Sequence, residues 1–389
     1  MRGPDVVVVG GGIIGCACAC ELAEQGLRVT LIERDSLAAG ASGRNHGLLL
    51  MPTERALAPM ARLATRFYLE RAADLPLPLE VEREPIGFLI VGADDREREQ
   101  ARAEAEAARS CGIEVDRLDA PALAGEEPAL ARDIDEGWLL HDGRLVDPAA
   151  LTVALALKAR EAGAEILRHL PVRALLATGD RVRGIVTDEG RTDADEVVVA
   201  AGPWTGQLLR PLGVHLPVTP ARGFLVHMAL GTGLVRHVIE GAGWHALPGE
   251  DPMPPLLAQE VASGSARPVL GSIVQQNADG TLLAGSSRQA AYSSEPEDPA
   301  IPQDIVRGAI RLVPAVEKAR VLGSWWGIRP MTSDGLPIVG RLRDGLVVAT
   351  GHGSFGVTLA TGTAPLVAAA ITGEDPPIDA APFLPQRFG

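Results

Sequence analysis

The stretch Asp5-Val-Val-Val-Val-Gly10-Gly-Gly12-Ile13-Ile14-Gly15 runs from four consecutive valines straight into a Gly-x-Gly-x-x-Gly turn. Four β-branched residues halted by glycines read as a buried strand, and the Ala- and Cys-rich residues after Gly15 read as a helix. Gly10 suits the tight turn, Gly12 admits the close approach of a pyrophosphate, and Gly15 lets the helix lie close on the sheet. The helix start, with Ile13 and Ile14 in its first turn, points its orphan N–H groups at that anion. A second strand, Arg28-Val-Thr-Leu-Ile-Glu33, ends in an acid eighteen residues beyond Gly15, placed to accept hydrogen bonds from ribose hydroxyls. A carboxylate there repels a 2′-phosphate, so FAD or NAD is expected rather than NADP, with Arg34 beside the same ribose.

At 389 residues and 46% hydrophobic content, the chain can bury a substantial core and form two domains. A formal net charge of -14, with no basic run, argues against nucleic acid or an anionic membrane as partner. No apolar span reaches membrane-crossing length. The opening segment resembles a secretion signal only superficially, because Asp5 and the glycines belong to the nucleotide fold that follows. A cytoplasmic protein is expected, with any membrane association peripheral to the inner face. Cys16 and Cys20 share a helix face while Cys18 points elsewhere, and Cys111 stands alone, so no tetrahedral metal site is expected. The eight histidines show no ligand spacing.

Farther along, 54–74 reads as helical, 87–91 as a strand and 96–110 as an exposed charged helix. Next come a helix over 149–162, strands at 165–167 and 182–186, and a buried strand, 196–202. That last strand ends in Ala200, Ala201 and Gly202, which leave room for a ligand before Pro203 and Trp204 start the next turn. Strands at 223–228, 272–276 and 281–286, with Pro-rich loops over 248–268, suggest an antiparallel unit. A surface loop over 292–303 and a helix over 304–313 follow. A strand then opens into glycines at 346–353, before a helix over 358–371. The layout predicts an α/β plus α+β fold. A Rossmann-like cofactor domain is built from the discontinuous segments 1–80, 141–216 and 324–389, and an antiparallel-sheet substrate domain from 81–140 and 217–323. A cofactor domain assembled from the first, middle and last thirds of a chain favours FAD, which must be held along its length.

Six motifs recur in order. They are Gly10, Gly12, Gly15 and Glu33; Gly40-Ala-Ser42-Gly43-Arg44-Asn45; Asp147-Pro148; Ala200-Ala-Gly202-Pro-Trp204; Trp326-Gly-Ile-Arg329-Pro-Met-Thr-Ser-Asp334-Gly-Leu-Pro-Ile-Val-Gly340; and Thr350-Gly-His352-Gly353. Together they resemble the FAD-dependent amine and amino-acid oxidoreductases, which include glycine oxidase, the sarcosine oxidases, D-amino-acid dehydrogenases and proline dehydrogenase β-subunits. The resemblance implies that Ser42, Gly43, Arg44, Asn45, His46 and Gly47 approach the pyrophosphate and flavin edge. It adds Val172, Ala201, Gly202 and Trp204, and places Gly353, Ser354, Phe355, Gly356, Val357 and Thr358 near the flavin ring and ribityl chain.

The same resemblance implies that Arg329 touches the flavin and pairs with a substrate carboxylate, as a planar guanidinium can. His46 and His352 are the proton-handling candidates, and Ser272, Gln275, Gln276 and Arg288 fall near the substrate pocket. Gly327 stands where sarcosine oxidase carries a flavin-linking cysteine, which implies non-covalent FAD. The lysines, Lys158 and Lys318, lie outside the expected pocket segments, and with Tyr68 and Tyr292 as the only tyrosines a pocket with a tyrosine pair is not expected. The electron acceptor is thus open between oxygen and a quinone or partner protein.

The implied reaction is oxidation of a C–N bond in a small amino acid or secondary amine, with the Cα–H leaving as hydride toward flavin N5. A flavin dehydrogenase of a hydroxy acid is a second expectation, with His46 or His352 as base. A third is a β-type subunit of a hetero-oligomeric amine dehydrogenase, and a homo-oligomer is open as well.

Overall fold

A computed structural model describes residues 3–77, 79, 84–231, 233–242, 269–290 and 298–388. The loops expected over 248–268, residues 292–297 and Tyr292 lie outside the described residues. Among the described residues no helix is long and apolar enough to cross a membrane.

The opening valines form the centre of a six-stranded sheet. Its order is Ile338–Arg343, Leu346–Thr350, Glu196–Val199, Val6–Val9, Val29–Ile32 and Glu165–Leu167. All neighbours are parallel except the Ile338–Arg343 edge, a hairpin partner of Leu346–Thr350. Val6–Val9 is buried along its whole length, as a strand covered on both faces must be. One face carries helices Ile13–Glu24, Pro148–Glu161 and Gly356–Thr372, packed through Ala, Cys, Leu and Val side chains. The other face is covered by a three-stranded antiparallel sheet, Val172–Thr178, Arg181–Thr187 and Gly190–Asp193, whose Leu175, Val182 and Ile185 meet Val7, Val9 and Val197.

Local chemistry sets these elements. Asp147 caps helix Pro148–Glu161 by accepting from the N–H groups of Ala149 and Ala150, both at 2.9 Å, and Pro148 fills the first helical position. The thiols of Cys16, Cys18 and Cys20 are core groups, and burial pushes all three upward.

A second sheet of eight strands begins at Arg320–Thr332. It continues through Val218–Ala229, Thr281–Ala290, Val269–Gln276, Val238–Gly241, Phe88–Val91, Glu136–Leu140 and Val115–Asp119. Only the Val238–Gly241 and Phe88–Val91 pair is parallel. Helix Ala300–Leu312 lays Ile301, Ile305, Ala309 and Leu312 on Val226, Met228 and Val274. Helix Asp95–Ser110 lays Ala101, Ala105 and Ala108 on Phe88, Ile90 and Trp138.

Several boundaries differ from the sequence expectation: the helix expected over 54–74 is Ala58–Arg71, and the strand expected over 223–228 is Val218–Ala229. The helix expected over 304–313 starts at Ala300, so residues 300–303 are helical and not loop. The expected domain boundary at 324 cuts strand Arg320–Thr332, which pairs along Val218–Ala229 in the second sheet. Its first five residues are all exposed, so no alternation announces a strand there.

Gly15 ties the first helix to the turn. A Cβ on Gly15 would lie 1.9 Å from the Gly10 carbonyl oxygen, a backbone atom that cannot yield without moving the strand end. Gly206, by contrast, has nothing within 4 Å of its Cβ direction. Gly15→Ala should lower stability by roughly 1–3 kcal/mol, as overpacking does, and reduce the cofactor retained through gel filtration. Gly206→Ala should leave both close to wild type. Urea denaturation checks the first, and equal behaviour of the two variants would refute the close-packing account.

Candidate active site

A cleft of about 680 Å³ opens along the carboxyl ends of the parallel strands, where α/β sheets bind ligands. Gly10 turns at φ +115°, a conformation suited to glycine, and packs against the Ala200 carbonyl. Glu33 is fixed at the rim: one carboxylate oxygen accepts from Gly11 N–H at 2.6 Å and the other from Asp35 N–H at 2.9 Å. Arg34 lies over the Trp204 ring, 3.8 Å from its centroid. Ser42 Oγ accepts from Ile13 N–H at 2.9 Å, which draws the 41–43 turn onto the start of the first helix. Gly12 leaves that approach open, since its Cβ would stand 3.1 Å from Ser42 Oγ.

Gly10, Gly12, Ile13, Ile14, Glu33 and Arg34 line one stretch of the cleft. Ser42, Arg44 and Asn45 line the next, opposite Val172, Ala201, Gly202 and Trp204. Arg329, Gly353, Ser354, Gly356 and Val357 line the remainder. Six expected cofactor contacts lie outside the cleft lining, His46 among them. Gly15 lies beneath the turn, and Gly43 and Gly47 pack on the carbonyls of Ala38 and Val146. Phe355 joins the helical core, and the Thr358 hydroxyl is engaged with Leu48 and Leu50 backbone at 3.4 Å. Within each motif the chain alternates direction, so only part of a contiguous run can reach a ligand.

Sequence reading missed Pro171, Gln207 and Trp326 as lining residues. Trp326 was within reach, since it opens the motif that holds Arg329. Its carbonyl accepts from Arg44 Nη1 at 3.1 Å.

Arg329 is half-buried at the end formed by the second sheet. Its guanidinium donates to Ser286 Oγ at 2.9 Å and to the Ser287 carbonyl at 3.2 Å. Gly223 makes the space, because a Cβ there would stand 2.0 Å from Arg329 Nη1. Desolvation, aided by the like charge of Arg288, lowers Arg329 to about 9, so it stays cationic at neutral pH. Arg288 is two residues from Ala290, which stands in register with Ala221 and Arg329, so both arginines share one sheet face.

Two expected pocket residues, Ser272 and Gln276, point the other way. Ser272 packs at Gly308 of helix Ala300–Leu312, and Gln276 Oε1 accepts from the N–H groups of Leu234 and Val235 at 2.7 and 2.9 Å. They share a face with Val274, which belongs to the core beneath that helix. Gln275, one residue out of step, turns toward His46 instead, as the period of two requires.

His46 sits behind the cleft wall and His352 in it. Burial lowers His46 to about 4, with the Arg329 charge adding to the effect, and lowers His352 to about 3. Both rings are therefore neutral. The Thr363 hydroxyl lies 3.0 Å from the Leu359 carbonyl and 2.9 Å from His352 Nε2. His352 Nδ1 is buried and without a hydrogen-bond partner among the described residues.

A glycine turn with a helix start behind it, an acid at the rim and an unpartnered buried ring nitrogen in the wall fit a dinucleotide with polar groups along its length. None of the four cysteines lines the cleft.

The pattern of the FAD dependent oxidoreductase family matches residues 5–370. The chain is 30% identical over 394 residues to a glycine oxidase of Pseudomonas aeruginosa, covering 98% of each protein. It is also 30% identical over 351 residues to the anaerobic glycerol-3-phosphate dehydrogenase subunit A1 of Haloferax volcanii, covering 85% of this chain and 54% of that protein. The solved structure of glycine oxidase from Geobacillus kaustophilus superposes with a TM-score of 0.83 at 26% identity, over 99% of this chain and 98% of the other. The nucleotide turn, the cleft and the match along nearly the whole length agree: the chain belongs to the FAD-dependent oxidoreductase family.

Proposed function

We propose that this chain oxidises the C–N bond of a small amino acid or secondary amine, with FAD held non-covalently in the cleft. The observation that carries this reading is Arg329, a cation lining the end of the cleft where the two sheets meet, braced by Ser286 and Ser287. Full-length similarity to glycine oxidases supports it. The Gly10–Gly12 turn and first helix would hold the pyrophosphate and Glu33 the ribose, while Gly353, Ser354, Gly356 and Val357 would lie along the ring. FAD bound there supplies the two-electron acceptor.

The chain's own contribution is placement and electrostatics. Arg329 holds the carboxylate in one orientation, and much of the acceleration follows from that proximity. A cationic wall also disfavours a second positive charge, so the amine is held in its neutral form, whose lone pair assists loss of the Cα–H electrons. No strong base is needed.

The glycerol-3-phosphate dehydrogenase relative favours a second reading, oxidation of a hydroxyl group. That reaction needs a base able to take an O–H proton near neutral pH. His46 at about 4 and His352 at about 3 are too weak for it, which supports the amine. Anaerobic bleaching of the flavin band by glycine, sarcosine, proline and D- or L-amino acids, against hydroxy acids, tests the choice. Bleaching by hydroxy acids alone would overturn the amine reading. Adding oxygen or a quinone to the bleached protein identifies the acceptor. Bleaching of the lone chain would make a partner subunit unnecessary.

Arg329→Leu should raise the half-saturating amine concentration by about a hundredfold, the worth of a charge-assisted pair, while flavin remains bound. Unchanged saturation in stopped-flow reduction would refute the carboxylate role.

The pH dependence should follow the substrate. Between about pH 5.5 and 8, His46 and His352 lie above their folded-state values and stay neutral, and Arg329 lies below its value and stays charged. Reduction at low substrate should therefore rise with pH as the free amine fraction rises, and fall only as pH passes about 9 and Arg329 loses its proton. A pH–rate profile with an ascending enzyme group near 6.5 would contradict this assignment.

A further inference from the structure

The two strands that flank Val6–Val9 in the first sheet, Val29–Ile32 and Glu196–Val199, end level with it, since Val9 stands in register with Ile32 on one side and with Val199 on the other. Two strand spacings, roughly 10 Å, therefore separate their carboxyl ends, and the Gly10–Gly12 turn rises between them. Side chains from the two ends nevertheless meet. Arg34 follows Val29–Ile32 and Trp204 follows Glu196–Val199, and the Arg34 guanidinium lies 3.8 Å from the Trp204 ring centroid. Both residues line the cleft, so the contact joins its two sides across the end of the strand that carries the nucleotide turn.

Each partner is held from behind. Glu33 N–H donates to the Leu167 carbonyl at 2.8 Å, the Glu33 carbonyl accepts from Leu170 N–H at 2.9 Å, and the Asp35 carbonyl accepts from His169 N–H at 3.1 Å. The backbone is thus pinned on either side of Arg34. Trp204 ends the single helical turn Gly202–Trp204, where its N–H donates to the Ala201 carbonyl at 3.1 Å and the Gly202 carbonyl accepts from the Thr350 hydroxyl at 2.9 Å. Among the described residues no carboxylate pairs with the Arg34 guanidinium, although Glu33 and Asp35 adjoin it in sequence. The ring, and not an acid, fixes where this exposed cation lies. Arginine suits the task, being planar, weakly hydrated and able to stack on an aromatic face.

We propose that Arg34 and Trp204 form a clasp over the adenosine end of FAD, and that their contact slows release of the cofactor. Glu33, the residue placed for the ribose, adjoins Arg34, which assigns the contact to that end. A cofactor leaving between the two strand ends must first part the pair, so the strength of the contact adds to the barrier. Release of FAD does not depend on which compound the enzyme oxidises, so the clasp stands or falls apart from the amine reading.

The test follows release of radiolabelled FAD from the loaded protein into an excess of unlabelled FAD, sampled by rapid gel filtration. Arg34→Leu and Trp204→Leu should each speed release about fivefold, the worth of a partly exposed cation–π contact. The variant carrying both should stay near about the same fivefold, because either change alone already opens the clasp. Residues that touched the cofactor separately would instead give the product, roughly twenty-fivefold, and that result would overturn the proposal. Unchanged release in either single variant would do the same.

Trp204→Phe keeps a ring for the cation and should release FAD more slowly than Trp204→Leu; equal rates would count against the clasp. Should Trp204→Leu fail to load FAD, Arg34→Leu, alone and combined with Trp204→Phe, still supplies the cycle, since Arg34 is exposed and its loss leaves the core untouched. The visible flavin band should keep its wild-type shape throughout. Faster release with an altered band would mean that the cleft itself is reshaped, and would sink the assignment.

Discussion

The whole cofactor half depends on one steric constraint, the contact between Gly15 and the Gly10 carbonyl, where no side-chain atom fits. It presses the first helix onto the turn, so that the helix start and the ends of the parallel strands face the same cleft. Ser42 then docks on Ile13 N–H and brings a distant segment to that helix start. His46 follows Ser42 by four residues, so the turn that docks on the helix start also carries a ring to Gln275 of the second sheet. A change at Gly15 would therefore act on both sheets through one helix.

The strand Arg320–Thr332 connects that half to the second sheet. Its first residues are exposed, while its last run beside the cleft and pair with Val218–Ala229. Arg329 sits where these environments meet. Its position depends on atoms that lack a side chain or cannot move: Gly223 leaves the space, and the Ser287 carbonyl and Ser286 hydroxyl fix the guanidinium. A long charged side chain held by backbone and a neighbouring hydroxyl loses little further freedom when it binds a carboxylate, which is the physical content of preorganisation.

Much of the cofactor site was legible in the sequence because its chemistry is local. Glycines at fixed offsets, an acid closing a strand and small residues at a strand end each carry their reason within a few positions. Glu33, Gly202 and Gly353 line the cleft. The substrate end was harder to read because it is assembled across strands. Ser272, Gln275 and Gln276 lie within five residues, and composition cannot say which share a face. The structure turns Gln275 to His46 and its neighbour Gln276 to the backbone at Leu234 and Val235. Strand Arg320–Thr332 was cut at 324 for a related reason: Arg-Val-Leu-Gly-Ser exposes both faces, so pairing with a distant strand, and no pattern of its own, makes it a strand.

The electrostatics of the site follow from what surrounds each group, not from residue type. Histidine is ordinarily the side chain that titrates near neutrality, yet both histidines here are held neutral, His352 by burial alone and His46 by burial with a cation beside it. Arginine is ordinarily beyond titration, yet Arg329 is lowered toward the upper end of the working range and remains charged within it. Among the described residues the result is a pair of arginines, Arg329 and Arg288, on one sheet face near two neutral rings, each with one ring nitrogen lacking a hydrogen-bond partner. Such a site offers charge to a carboxylate and buried ring nitrogens to a polar partner. That combination suits an amine with an accessible neutral form, as the proposed reaction requires, better than an alcohol whose proton is held into the alkaline range.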